Sequence, residues 1–530
     1  MEAEAPPRAL ELSALEAEKQ PMAAEEEERA PQVPLPAEKN GLVKVGSEEE
    51  GLGRREGISG GKFTGLGKEE LLRAAESPPW KKARAVLLLV FWLGWLGMLG
   101  AAAAIVARAP RCRPLPPRAW WEMGALYRAP PKAFAGELKG VAQRLEHVAG
   151  LQVRGLVLGP LHPQIPGGDP KNLSLDQLDP QLGTLQDFQD LLSAARKRGL
   201  QVLVDVTPNP GKGSAWMGAE KDPQFLTGVT RALNVWLERG VSGFFIDGIE
   251  ELPPTVLAEW RNLTERQRDD GIDRVLLGGS RLVDAPRLRS VMEESGLAVV
   301  LGRFLEALSP STPPDDVPQQ LLQFLLPETK LAWAVGSPWA HMASLSPHLT
   351  AQRLLLLWAL PGTPVISYGD EIGLRDPPEG GQEPPEMPWE LIDSVEEGNE
   401  TEAQWLLGLC RRLGALRLRE RSLAMGDAIA LSPIAASSSP IAASSSPTAA
   451  SSSPIAALLR RWDQSERFLL VLNPTAQAVG PLELRDPRLP HSAALRLSTH
   501  LVPTKDPQVD LGALQLLPYE GLLLSFPPDP

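Results

Sequence analysis

The hydrophobic pattern changes character twice along the chain. Up to position 84 large apolar residues are sparse and show no period, and then residues 85–106 (AVLLLVFWLGWLGMLGAAAAIV) run for 22 positions without a charge or a side-chain amide. A helix of that length spans about 33 Å, enough to cross the hydrocarbon core of a bilayer. The alternative, a buried helix of a soluble protein, is unusual at this length with no polar face. Further on, short apolar runs closed by turn residues recur at 125–128, 155–159, 201–206, 243–246, 275–277, 298–301, 331–335 and 365–368. Segments of helical period, such as 185–198 and 224–239, lie between them. That alternation predicts parallel strands with crossover helices, and eight units without internal repeats predict a (β/α)8 barrel. After a last helix near 402–421 the period becomes two, as in 467–473 and 521–526, which predicts a C-terminal antiparallel β domain.

The domains expected are therefore a disordered tail over 1–84, a transmembrane helix over 85–106, a stalk over 107–119, the barrel over 120–422 and the β domain over 423–530. Within the last, Pro433-Ile-Ala-Ala-Ser-Ser-Ser recurs from Pro440 and Pro447. It has no apolar heptad spacing, so 432–456 reads as a disordered Ser/Pro/Ala repeat loop between strands.

Composition sharpens this outline. The first 80 residues hold 17 Glu against 10 Lys or Arg, and they open with Met-Glu-Ala-Glu, so they read as a solvated acidic tail and not as a signal peptide. Within the tail, residues 62–66 followed by Lys68 to Arg73 could start a short helix capped by Thr64, and a marginal solvated turn is the preferred reading. The net charge of −13 argues against nucleic acid as a partner. Two cysteines, Cys112 and Cys410, cannot form a disulfide scaffold or a four-cysteine zinc site, and the 6 histidines show no metal-ligand spacing. No metal or cofactor is expected.

Basic residues flank both ends of the span, so orientation rests on the glycosylation sequons Asn172-Leu-Ser, Asn262-Leu-Thr and Asn399-Glu-Thr. All lie after the span, which predicts a single-pass protein with a cytosolic N-terminus and an extracellular C-terminal part. Inside the span Gly97/Ala101 and Gly100/Ala104 are small-xxx-small pairs; they read equally as a packing face for another helix and as alanine-rich filler. A single charge-free helix offers no substrate pathway, so the chain is not a transporter by itself.

The strand ends carry recognisable sequence. Trp120-Trp121-x5-Tyr127, the stretch from Leu178 to Gly183 leading to 198–209, Gly240-Val-Ser-Gly-Phe-Phe-Ile-Asp247, and Leu360-Pro-Gly-Thr-Pro-Val-Ile-Ser-Tyr-Gly-Asp-Glu-Ile-Gly373 resemble the α-amylase family of glycoside hydrolases. The resemblance implies a barrel with a C-terminal β domain. Retaining hydrolysis needs a carboxylate nucleophile and a second carboxylic acid about 5 Å away. Asp205, Asn209 and Asp247 match motif positions, but the family's histidine is Pro210, its arginine is Phe245, its acid glutamate falls in Leu276-Leu-Gly-Gly-Ser280, and its Asn-His-Asp motif is Ala334-Val-Gly-Ser337. The three matching residues thus read as relics. A type II membrane-anchored α-glucosidase-like hydrolase is the alternative function.

Outside the barrel, Glu38-Lys-Asn-Gly-Leu-Val-Lys44, Lys62-Phe-Thr-Gly-Leu66, Phe91-Trp-Leu-Gly-Trp-Leu-Gly-Met-Leu99, Val106-Ala-Arg-Ala-Pro-Arg-Cys-Arg113 and 460–472 resemble the heavy chains of the heteromeric amino-acid transporters. That resemblance implies a non-catalytic subunit joined by a disulfide just outside the membrane to a polytopic light chain. The heavy chain would stabilise its partner and bring it to the plasma membrane for sodium-independent exchange of large neutral amino acids such as leucine. Cys112, six residues beyond Val106 among Arg108, Arg111 and Arg113, is the cysteine expected to make that bond. Cys410, among Leu406, Leu409 and Leu413, reads as a buried core thiol. Whether integrins use the tail is left open.

Overall fold

The structure, a computed structural model, describes residues 67–108, 115, 117–163, 173–210, 214–216, 218–266, 271, 273–307, 331–377, 384–393, 401–431, 434–435, 455–484, 486–500 and 508–528. The expectations for Thr64, Cys112, Asn172, Asn399 and most of the repeat lie outside those residues.

The chain divides into two units at residues 109 and 110. The first holds helices α1 (Lys68–Glu76) and α2 (Pro78–Arg108). The disordered tail expected up to residue 84 is thereby corrected over 68–76 and 78–84, which are helical, and of the two readings for Lys68 to Arg73 it is the short helix that forms. Glu69 and Glu70 in the first turn of α1 and Arg73 in its last complement the helix dipole. Ser77 then closes it, its hydroxyl donating to the Ala74 carbonyl at 2.6 Å. Pro78, with its backbone already set for a first helical turn, opens α2. None of the side chains of α2 is buried. Its 31 residues outrun the apolar stretch at both ends.

In the second unit, strands β1 (Ala125–Ala129), β2 (Val153–Leu158), β3 (Gln201–Asp205), β4 (Gly243–Asp247), β5 (Val275–Ser280), β6 (Val299–Gly302), β7 (Leu331–Trp333) and β8 (Thr363–Ser367) close into a parallel barrel in sequence order. These are the expected eight. They are nearly continuous apolar runs because each is buried on both faces, by the barrel interior and by the helices outside. Leu126, Val157, Leu203, Phe245, Leu277, Leu301 and Val365 fill the interior, with Trp121 against its N-terminal end.

The crossover helices include α3 (Leu185–Lys197), α4 (Pro223–Glu238), α5 (Pro254–Arg266), α6 (Ala285–Ser295), α7 (Thr350–Ala359) and α8 (Glu402–Arg419), followed by the short α9 (Arg421–Met425). Thr184, Asp222, Asp284 and Thr401 cap α3, α4, α6 and α8, each accepting a main-chain N–H with its side-chain oxygen.

The remaining strands form two antiparallel sheets. One, ordered β15-β14-β17-β12-β11-β9, uses Gln508–Asp510, Ser492–Ser498, Gly521–Phe526, Arg467–Leu472, Ala456–Arg461 and Asp427–Leu431; the other, ordered β10-β13-β16, uses Ile434–Ala435, Val479–Glu483 and Leu514–Leu516. Two ends of the expected disordered loop at 432–456 are thereby corrected. Ile434 and Ala435 pair with Glu483 and Leu482, while Ile455 is 1% exposed and Ala456 opens β11. The large sheet is anchored to the barrel through α7: Leu355, Leu470, Leu472 and Leu523 share one core, and the Gln352 side-chain amide donates to the Asn473 carbonyl at 2.6 Å.

Candidate functional site

Parallel barrels present the C-terminal ends of their strands as the place for chemistry, and three of the expected residues stand there. Asp205 ends β3 and Asp247 ends β4, 3% and 2% exposed, while Asn209 lies half-buried in the loop after β3. Thr207 joins the Asp205 carboxylate to the main chain of Asp247. Its N–H donates to Asp205 Oδ1 at 3.0 Å and its hydroxyl oxygen accepts the Asp247 N–H at 2.9 Å. Asn209 is turned to its own loop, its side-chain amide donating to the Ser214 carbonyl at 3.2 Å.

Each carboxylate is matched by an arginine that sequence reasoning missed. Arg303, directly after β6, donates from Nη2 to Asp247 Oδ2 at 2.5 Å, and Arg281, directly after β5, lies 3.9 Å from the same oxygen. The other oxygen, Oδ1, accepts the Gly248 N–H at 3.1 Å. On the opposite side Arg128, in β1, sets Nη2 3.6 Å from Asp205 Oδ2 and its guanidinium 4.3 Å from the centroid of the Phe245 ring. Burial raises the Asp205 carboxyl above the ordinary carboxylate range, and Arg128 opposes that rise. A charged residue at the end of an apolar strand was the available signal for Arg128 and Arg303.

The position on β5 beside Asp247 is closed sterically. Gly279 in β5 is in register with Asp247, and a Cβ there would stand 2.6 Å from Asp247 Oδ1 and 2.8 Å from Phe245 Cζ. Glu250 and Glu251, near in sequence, face elsewhere. Glu250 accepts the Arg281 N–H at 3.0 Å, and Glu251 accepts the Ala215 N–H at 3.1 Å and the Ser214 hydroxyl. Among the described residues the mouth pairs Asp205 with Arg128, and Asp247 with Arg303 and Arg281, around Phe245. Among the described residues no group of three His, Cys, Asp or Glu side chains is arranged to hold a metal ion.

Two further buried networks were not anticipated. Past β8, Glu371 accepts the Tyr127 hydroxyl at 2.8 Å and meets His147 Nε2 at 2.9 Å. Burial, with Glu371 adding to it, pushes the Tyr127 hydroxyl well above its ordinary range, so it remains a donor. His341, fully buried, sets Nδ1 2.6 Å from Asp376 Oδ1 and Nε2 3.0 Å from the Tyr368 carbonyl oxygen. Cys410 is fully buried in α8, where loss of solvent pushes the thiol far up. In the first unit Gly97, Gly100, Ala101 and Ala104 are exposed along α2, and a Cβ at either glycine would meet nothing within 4 Å. Asn262 is exposed on α5, where its side-chain oxygen accepts from Arg261 Nη2 at 3.1 Å.

The family profile for the solute carrier family 3 member 2 N-terminus matches residues 54–127, and that for the α-amylase catalytic domain matches residues 123–222. In structure the chain resembles the trehalulose synthase MutB of Pseudomonas mesoacidophila, with a TM-score of 0.56 and 15% identity over 77% of this chain and 100% of that one, which shows the fold alone. In sequence it is 37% identical to the mouse amino acid transporter heavy chain SLC3A2 over 98% of this chain and 97% of the relative. The rat protein of the same name is 38% identical over the same shares. Carrying both the family's N-terminal segment and its amylase-like barrel, the chain belongs to the SLC3A2 family of amino acid transporter heavy chains.

Proposed function

We propose that the chain is the non-catalytic, ancillary subunit of a heteromeric amino-acid transporter. Its N-terminus is cytosolic, α2 spans the plasma membrane, and the barrel with its β domain stands outside. Cys112 bonds a polytopic light chain just beyond the membrane; the heavy chain stabilises that partner and carries it to the cell surface. The light chain performs sodium-independent exchange of large neutral amino acids such as leucine. The Gly97/Ala101 and Gly100/Ala104 face of α2 lies against a helix of the partner, and Asn172, Asn262 and Asn399 carry N-glycans.

The observation that most supports this reading is the pairing of Asp247 with Arg303 in the barrel of a chain that carries, among the described residues, one helix long and apolar enough to cross a membrane. A nucleophile needs a free oxygen on the sugar and an acid on the other side of the bond, and here the oxygen is on a guanidinium and the acid's place is a glycine with no room for a side chain. That disfavours the membrane-anchored hydrolase. Membranes from cells making the chain, run without reductant, should show it in a larger complex that separates on reduction. Mass spectrometry of the released partner should then find a polytopic membrane protein. A chain that migrates as a monomer without reductant contradicts the reading.

A further inference from the structure

Past the end of β8 the chain forms a small open cleft with a volume of about 290 Å³. Its lining comes from the loop after β8, the start of α7, the short helix Trp389–Asp393 and the start of α8, and none of it belongs to the mouth around Asp205 and Asp247. Small-molecule sites run from about 300 to about 1,000 Å³, so the cleft is sized for one compact ligand. Ile372 and Leu406 are its buried apolar wall, and Leu391 adds an exposed apolar side chain at the surface.

Two residues of opposite charge, Arg375 and Glu402, line the same cleft. Both are exposed, and among the described residues neither side chain makes an ion pair or hydrogen bond, with the other or with a third group. Their main chains are nevertheless held in place. Asp376, next to Arg375, accepts the His341 N–H at 2.9 Å, sets Oδ1 2.6 Å from His341 Nδ1, and donates its own N–H to the Ser344 hydroxyl oxygen at 2.6 Å. Next to Glu402, the Thr401 hydroxyl oxygen accepts the Gln404 N–H at 3.3 Å while the Gln404 side-chain oxygen accepts the Thr401 N–H at 3.1 Å. Fixed backbone at both charges lowers the ordering cost of binding between them.

A cation and an anion, each without a protein partner, beside a buried apolar wall match a ligand of complementary make. A simple anion would meet the repulsion of Glu402, and a simple cation that of Arg375. An uncharged apolar molecule would leave both charges unused. A zwitterion with an apolar body uses all three features, its carboxylate taking the guanidinium and its ammonium the carboxylate. We propose that this cleft binds a free α-amino acid with an aliphatic side chain, the carboxylate on Arg375, the ammonium on Glu402 and the side chain against Ile372 and Leu406. The inference goes beyond the heavy-chain reading, because it gives the chain a ligand of its own, and it depends neither on Cys112 nor on a light chain.

The test is equilibrium dialysis of the purified full-length chain in detergent against labelled L-leucine. Binding should saturate at millimolar concentrations or below. Arg375→Gln and Glu402→Gln change exposed side chains, so both should keep the wild-type unfolding midpoint, and each should weaken L-leucine by about tenfold or more. On the wild-type chain, 4-methylpentanoate lacks the ammonium, leucinamide lacks the carboxylate and glycine lacks the apolar side chain; each should compete about tenfold or more weakly. Absence of saturable L-leucine binding, or binding undiminished in either variant, would overturn the proposal. So would 4-methylpentanoate or leucinamide competing as well as L-leucine, which would make the cleft a site for an apolar anion or an apolar cation.

Discussion

Asp247 and Arg303 meet across the C-terminal mouth of the barrel with Oδ2 and Nη2 2.5 Å apart, the carboxylate ending β4 and the guanidinium following β6. The pair puts a cation against the one carboxylate that the barrel's sequence motif places as a nucleophile. Without Arg303 the buried Asp247 carboxylate keeps only Arg281, 3.9 Å away, as a cation and the Gly248 N–H as a donor. Arg303→Met should therefore destabilise the chain by about 1–3 kcal/mol, read from denaturant unfolding. Hydrolysis of α-glucosides should equal a blank in the wild-type chain and stay there in Asp247→Asn. Turnover that Asp247→Asn abolishes would show the mouth to be catalytic after all.

Gly279 gives a second handle on the same place. A methyl group there would meet the Asp247 carboxylate at 2.6 Å and the Phe245 ring at 2.8 Å. Gly279→Ala should therefore cost about 1–3 kcal/mol through overpacking. Gly279→Glu, which supplies the missing acid in sequence, should produce a less stable chain with no glycosidase activity.

His162, after β2, is 3% exposed, and burial lowers its imidazole from 6.5 to about 4. A histidine held neutral in the folded state takes its proton more readily in the unfolded one. Stability from this group is complete above pH 6.5 and is lost as pH falls from there to about 4. At about 1.4 kcal/mol per pH unit, the loss amounts to about 3 kcal/mol. Unfolding midpoints measured over this range should fall more steeply for the wild-type chain than for His162→Gln; parallel curves would assign the acid sensitivity to other groups.

The sequon at Asn262 lies within α5, and its Thr264 is 0% exposed, with the hydroxyl donating to the Trp260 carbonyl at 2.8 Å. The helix must open for that hydroxyl to be read. The glycan at Asn262 should therefore be added before α5 folds. Chain synthesised in the presence of microsomes should carry it, and folded, unglycosylated chain offered to the same membranes afterwards should not. Equal occupancy by both routes would contradict this.

The eight strands could be read from sequence because each is an apolar run buried on both faces, and the long apolar helix α2 because nothing polar interrupts its apolar stretch. What could not be read was pairing across the barrel. Asp247 looked solitary because Arg303 lies 56 residues away and no spacing rule connects β4 to β6. Arg128 was passed over as the end of a short strand, although its contacts with Asp205 and Phe245 close the other side of the mouth. Helix α1 was the less favoured of two readings for a different reason. Its nine residues carry Leu71 and Leu72 among charges, and there is no side-chain cap at Gly67, so the local signal for a helix is weak.

The most direct test of the heavy-chain reading is a non-reducing gel of membranes containing the wild-type chain, Cys112→Ser or Cys410→Ser, probed for the chain and for its light-chain partner. Cys410 is fully buried in α8, and Cys112 stands six residues past the apolar span. The covalent heterodimer should be present in the wild-type chain and in Cys410→Ser, and absent in Cys112→Ser, where much of the non-covalent association should persist in mild detergent. A reduction-sensitive heterodimer that survives in Cys112→Ser and disappears in Cys410→Ser would contradict the account.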